Sequence, residues 1–153
     1  MNFVQSSSSI SPFLWFENNA HEAAEFYLST FPNSRKVSEM KNLQSPDSAP
    51  LVVSFEIDGQ RVTAMNGGAH QKLSPAFSFV VSCKDQKEID HYWSKLSEGG
   101  TEVGCGWLTD KFGLSWQIVP ANIGELVSNP KGFQAMMGMK KLDIAGLEGK
   151  EKS

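Results

Sequence analysis

The sequence predicts an α+β fold: two βαβββ modules in tandem, followed by C-terminal helices. Two observations carry this expectation. First, the chain repeats itself. Moving the first half forward by 66 positions brings Phe13 onto Phe79, Glu22 onto Glu88, Phe26 onto Tyr92 and Tyr27 onto Trp93, with the same order of elements around each match. Second, short apolar runs of high β-propensity are separated by turn residues, and each half holds one stretch with helical spacing of apolar residues. A βαβββ half has one sheet face to bury and cannot bury it alone. The two halves are therefore expected to pair, their curved sheets enclosing a half-open trough lined by alternate strand residues.

The elements follow in order. Residues 1–9 carry no basic or apolar signal segment and read as a loose lead-in. Residues 10–16 form a strand around Phe13, Leu14, Trp15 and Phe16, stopped by Asn18-Asn19. Asn19 followed by Glu22 is a capping-box pattern. Ala20, Ala23, Ala24, Tyr27 and Phe31 then recur at helical spacing until Pro32-Asn33. Residues 34–43 read as an irregular strand and 44–50 as a loop. The strand over 51–57 returns through the hairpin signal Asp58-Gly59 into 61–66, and Gly67-Gly68 breaks it. After a linker, residues 76–82 open the second unit as a strand. Asp85 and Glu88 repeat the helix-start signature, and Ile89, Tyr92, Trp93 and Leu96 form the apolar face. Gly99-Gly100 ends this helix and residues 101–103 form a short strand.

The last hairpin, Cys105 to Pro120, organises the second half. Asp110 to Gly113 reads as a tight turn, since Asp bonds its own backbone and Gly tolerates positive φ. Gln117 stands mid-strand between Trp116 and Ile118, so its amide faces either solvent or a lined cavity with a partner. Helical pieces follow over 123–128 and 132–140, and residues 148–153 read as a frayed tail. The domain plan is one domain over 10–147, with modules 10–68 and 76–120 and C-terminal helices within 123–147.

Composition excludes several function classes. A net charge of −3 gives no basic footprint for nucleic acid or an anionic membrane. No run approaches the roughly 18 apolar residues of a membrane span. Cys83 and Cys105 form neither a disulfide framework nor a CxxC pair, which suits reduced thiols in the cytoplasm. Cys105 has no local cation or histidine to activate it, and Cys83 is expected to pack, although a following helix start favours thiolate. His21 and His91 fall on outer helix faces and His70 in the linker, with no metal-pair spacing. The carboxylates belong to helix starts, solvated faces and turns, so no acid–base dyad emerges.

Several motifs together resemble the PhnB-like branch of the glyoxalase/bleomycin-resistance/dioxygenase (vicinal oxygen chelate) superfamily. They are Ser11-Pro12-Phe13-Leu14-Trp15-Phe16, Ala23-Ala24-Glu25-Phe26-Tyr27, Met65-Asn66-Gly67-Gly68, Asp90-His91-Tyr92-Trp93, Cys105-Gly106-Trp107, Phe112 to Pro120 and Met139 to Ile144. This branch is often described as 3-demethylubiquinone-9 3-methyltransferase-like. The resemblance implies paired βαβββ modules, a homodimer and a ligand cavity in each curved sheet. It also implies metal-ligand positions, which fall here on Pro12, Thr63, Ser78 and Gln117. Only Gln117 among them is a plausible ligand, so no cofactor is expected and a divalent metal is disfavoured. Methyl transfer is also disfavoured, because no glycine-rich turn follows an early parallel strand.

The expected ligand-binding residues are Asn66, Ser78, Trp107 and Gln117, with Trp15, Phe77 and Trp116 as candidate walls. Asn66 either caps a turn or offers its amide, with the N–H groups of Gly67 and Gly68, to a ligand oxygen. The expected function is metal-independent binding of a small molecule in a half-barrel cavity, with the reaction unassigned. Two alternatives stand beside it: a metal-dependent glyoxalase, dioxygenase or resistance-type enzyme, and a dimerising interaction module without catalysis. Neither nucleic acid nor membrane is an expected partner.

Overall fold

The computed structural model describes residues 8–150. The expected lead-in lies outside the described residues up to residue 7, and the expected frayed tail lies outside them from residue 151. The chain divides into two compact units, the first ending at Leu73 and the second beginning at Ser74. Among the described residues no helix is long and apolar enough to cross a membrane.

The first unit comprises β1 (Phe13–Phe16), α1 (Ala20–Thr30), β2 (Arg35–Met40), β3 (Val52–Ile57) and β4 (Gln60–Asn66). Its sheet has the order β1-β4-β3-β2, with β1 parallel to β4 and the other pairs antiparallel. The β3–β4 link is a two-residue turn in which Asp58 (φ 46°) and Gly59 (φ 79°) are both left-handed, matching the twist of the flanking strands. Strand alternation then sorts the side chains. Leu14, Val53, Phe55, Val62 and Ala64 are buried beneath α1, which supplies Ala23, Ala24 and Tyr27. The Tyr27 and Phe55 rings lie 6.3 Å apart. The opposite, open face carries Phe13, Trp15, Thr63 and Met65, together with an ion network. There Arg35 donates to both oxygens of Glu56 at 3.1 and 3.2 Å, and Arg61 donates at 3.3 Å.

The second unit repeats this plan with β5 (Ser78–Cys83), α2 (Gln86–Ser97), β6 (Thr101–Gly104), β7 (Trp107–Thr109) and β8 (Ser115–Pro120), in the order β5-β8-β7-β6. Ile89, Trp93 and Leu96 of α2 are buried on the side of Leu108, Trp116 and Ile118. Three short helices follow: α3 (Ile123–Leu126), α4 (Pro130–Met137) and α5 (Ile144–Leu147). Around them Val119, Leu142 and Leu147 make a small core joined by Met136 and Met139, whereas Met137 is exposed. Gln86 ties this segment to α2. Its Nε2 donates to the Leu142 carbonyl at 2.9 Å, and its Oε1 accepts from the Ile144 N–H at 2.8 Å.

Three sequence expectations are corrected. The first strand begins at Phe13 rather than residue 10, because pairing with β4 starts only at the Pro12 carbonyl, which accepts from Thr63 N at 3.1 Å. The Asn19 capping box is absent: Asn19 makes no side-chain cap. The cap comes instead from Asn66 at the end of β4, whose Oδ1 accepts from Ala20 N at 2.8 Å. The repeat also slips by one residue between helix and strand. Tyr27 and Trp93 are both buried helix residues, as the 66-residue offset requires. Phe13, however, pairs with Thr63 on an open face, while Phe79 pairs with Trp116 on a helix-covered one. Strand side chains alternate, so a one-residue slip exchanges the faces, and Val80 is the true counterpart of Phe13.

Two predictions follow from these contacts. Asn66→Ala removes the α1 cap and a second bond to the Pro50 carbonyl. It should cost about 1–3 kcal/mol in urea unfolding, whereas Asn19→Ala should stay within about 0.5 kcal/mol of the parent. Glu56 has its carboxyl lowered below the usual range chiefly by the hydrogen bond from Arg35. Its stabilising contribution is present above the unfolded-state value and is lost as pH falls through the lower folded-state value. Thermal melts of Glu56→Gln between about pH 6 and pH 3 should therefore show a shallower acid decline than the parent.

Candidate functional site

The open face of the second sheet is built outward from the β7–β8 turn. Asp110 is 3% exposed, and its Oδ1 accepts from the N–H groups of Phe112 and Leu114 at 2.8 and 3.0 Å. Its Oδ2 accepts from Trp116 Nε1 at 2.8 Å. Gly113 turns with φ 91°. These bonds fix the hairpin register, so that Trp107 stands opposite Gln117, and Thr109 opposite Ser115. On the other flank of β8, Ser78 pairs with Ser115 and Val80 with Gln117. Alternation then puts Ser78, Val80, Trp107, Thr109, Ser115 and Gln117 on one face, opposite to Trp116 and Leu108.

Within this face the Gln117 amide is oriented by a hydroxyl: its Nε2 donates to Ser78 Oγ at 3.0 Å. Trp107 and Gln117 are half-buried and Val80 is exposed, so the face combines an apolar wall with fixed polar groups. Ser115 is almost fully buried, and its Oγ has no hydrogen-bond partner. Sequence reasoning passed over Ser115. Counting back two residues from Gln117 along the strand would have placed it on the same face.

The structure thus brings Ser78, Trp107 and Gln117 together on one face of the second sheet, while the Asn66 amide is committed within the first unit. Both ends of the Asn66 amide are engaged, by Ala20 N and the Pro50 carbonyl. The N–H groups of Gly67 and Gly68 bond the carbonyls of Phe16 and Glu17. Trp15 donates its Nε1 to the Gly68 carbonyl at 2.9 Å, and its ring lies where a Cβ on Gly67 would stand. Trp116 is a core residue under α2, and Phe77 is exposed.

The four positions that the resemblance marks as metal ligands do not make a donor set. Pro12 offers only a carbonyl, already bonded to Thr63 N. Thr63 Oγ1 shares a 3.1 Å hydrogen bond with Ser54 Oγ, and Ser78 Oγ accepts from Gln117. The residues that directly pair with Thr63 and Gln117 from the neighbouring parallel strands are Phe13 and Val80. Among the described residues no group of three or more His, Cys, Asp or Glu is placed to hold a metal ion. Neutral hydroxyls and one amide suit a divalent cation poorly.

Other chemistry-bearing groups lie off this face. Cys83 is 1% exposed, and burial, with the carboxylates of Glu88 and Asp85 nearby, pushes its thiol up to about 12. Cys105 is half-buried, with φ 55° between two glycines of positive φ, and its Sγ lies 3.9 Å from Met137 Sδ. A cleft of about 400 Å³ opens among the C-terminal helices, lined by residues including Glu125, Leu126, Asn129 and Lys131. Its Asn129 is committed to capping α4 through Gly132 N.

The family model described as 3-demethylubiquinone-9 3-methyltransferase matches residues 8–119. Among solved structures, a PhnB protein from Bacillus cereus is 30% identical, with 73% of this chain and 99% of that chain covered and a TM-score of 0.67. The protein PA1353 from Pseudomonas aeruginosa is 18% identical, covering 74% and 98% with a TM-score of 0.60. The fosfomycin resistance protein FosX from Listeria monocytogenes is 15% identical, covering 80% and 98% with a TM-score of 0.56. These last two likenesses bear on the fold alone. No curated protein matches the chain.

The two thiols should separate cleanly in alkylation. Iodoacetamide near pH 8 should modify Cys105 in the folded protein and reach Cys83 only after denaturation, as read by peptide mass spectrometry. Equal labelling of both in the native state would contradict the placement of Cys83.

Proposed function

The chain belongs to the 3-demethylubiquinone-9 3-methyltransferase family, the PhnB-like branch of the vicinal oxygen chelate superfamily, and on that premise we propose that it binds a small molecule on the open face of its second sheet without a resident metal ion. The observation that carries this proposal is the Gln117 amide, held at 3.0 Å by the Ser78 hydroxyl beside Trp107. An oriented amide next to an aromatic wall is the usual composition of a small-molecule site. In such a site the ligand's apolar part lies on Trp107 and Val80, and its polar atoms meet Ser78, Ser115 and Gln117.

The side chains of that face support binding more than catalysis. A serine nucleophile needs an adjacent base, and the side chains that β5, β7 and β8 place on this face include no imidazole, amine or carboxylate to serve as one. Methyl transfer is disfavoured despite the family's description. Each sheet has a single parallel strand pair, and the doubly wound parallel sheet on which many methyltransferases hold S-adenosylmethionine is absent among the described residues. A glutamate-to-glutamine mutant of FosX has been crystallised with Mn(II) and 1S,2S-dihydroxypropylphosphonic acid. A comparable metal-dependent reaction here would need donors that Phe13 and Val80 do not supply. The proposed partner is a second copy of the chain. Exposed Phe133 and Met137 on α4 are candidates for its contact surface.

Native mass spectrometry joined to metal analysis tests the proposal. The expected result is a dimer carrying well under one equivalent of divalent metal per chain. It should also bind a small organic molecule, either co-purified or supplied from a fragment mixture. One tightly held transition-metal ion per chain would overturn the metal-independent assignment.

A further inference from the structure

The face proposed above as the ligand contact carries a buried hydroxyl that the fold itself does not use. Ser115 is 1% exposed, and its Oγ has no hydrogen-bond partner. Buried hydroxyls are ordinarily satisfied, so this one calls for an explanation. Backbone geometry does not require it, since Ser115 sits in ordinary ladder pairing with Ser78 and Thr109, which main-chain groups make. Nor does the turn, which is held by the Asp110 carboxylate. Alternation aims Ser115 to the same side as Gln117, roughly 7 Å further along the strand. Its cross-strand neighbours on that side are Ser78 and Thr109. The Gln117 amide is half-committed. Its Nε2 is bonded to Ser78, leaving Oε1 as an acceptor for an incoming group.

What this side lacks defines the ligand. The side chains that β5, β7 and β8 place there are serine, threonine, valine, tryptophan and glutamine, none of which ionises at neutral pH. The nearby acids are turned away. Glu102, paired with Leu108 and so on the α2 side of the sheet, accepts from Trp93 Nε1 at 2.6 Å, and Asp110 is engaged in its turn. The first sheet differs, since its open face carries the Arg35–Glu56–Arg61 network. A charged group brought against these three strands would lose water and gain no countercharge from their side chains. An uncharged group would exchange water for the waiting hydroxyl and amide oxygen.

We infer that this site selects an uncharged ligand whose carbonyl or hydroxyl group bonds Ser115 Oγ, with its apolar part against Trp107 and Val80. The inference rests on the proposed placement of the ligand on this face. Ser115 is on this account the buried anchor of the site.

Three probes of similar size and different charge provide the test: phenylacetamide, phenylacetate and phenethylamine. Each is titrated to tens of millimolar while the Gln117 side-chain amide and Trp107 indole resonances are followed by ¹H–¹⁵N NMR. The expected result is saturable movement of both resonances by phenylacetamide and none by the two ions. Ser115→Ala should weaken phenylacetamide binding about three- to ten-fold, the loss of one neutral hydrogen bond. It should also raise the melting temperature by about 2–4 °C, because it removes an unsatisfied buried hydroxyl. A purely structural serine would show the reverse, a lower melting temperature with unchanged binding, and that result would overturn the inference. If either ion moves the same resonances as effectively, the uncharged class is wrong while the face stands as a ligand site. If no probe moves them, the placement of the ligand on this face falls, and the inference with it.

Discussion

The buried carboxylate of Asp110 is the constraint on which the second unit depends. It gathers the N–H groups of Phe112 and Leu114 and the indole N–H of Trp116 into one turn. Burying a carboxylate is costly unless its oxygens are hydrogen-bonded, and here three donors converge on them. The turn is thereby fixed in one geometry, and with it the register of β7 against β8. A slip of one residue would send Gln117 under α2 and bring Trp116 out onto the open face. The chemistry available on that face is thus decided by a residue on the other side of the sheet.

Much of this arrangement is legible in the letters. Asp110 to Gly113 announces its turn, and Asp58-Gly59 announces the hairpin whose two left-handed residues the structure contains. The buried faces of both helices follow from apolar spacing, Ala23, Ala24 and Tyr27 in one and Ile89, Trp93 and Leu96 in the other. Local rules succeed where the deciding interactions are local. They fail where a distant residue supplies the partner. Asn19 looks like the cap of α1, yet the bond comes from Asn66, 46 residues away in sequence. No spacing rule anticipates a cap delivered by a neighbouring strand.

The repeat shows a subtler limit. A single offset aligns the two helices but misplaces the two first strands by one residue, because phenylalanines at 13 and 79 invite a match that the pleat forbids. The error matters for the site, since it pairs Pro12 with Ser78 when the residues beside Thr63 and Gln117 are Phe13 and Val80. Ser78 nevertheless meets Gln117, through a diagonal side-chain bond rather than direct pairing. Ser115 escaped notice for a different reason. A serine between two buried apolar residues reads as filler until its hydroxyl is found without a partner.

What stands within bonding distance of Gln117 Oε1 and Ser115 Oγ decides between a metal-free ligand site and a metal centre. Diffraction from crystals of the protein as purified, with anomalous data collected at transition-metal edges, would observe it directly. The account predicts ordered water or organic density at hydrogen-bond distance from both atoms, with no anomalous peak. An anomalous peak about 2.0–2.2 Å from the Gln117 oxygen, completed by further protein ligands, would contradict it.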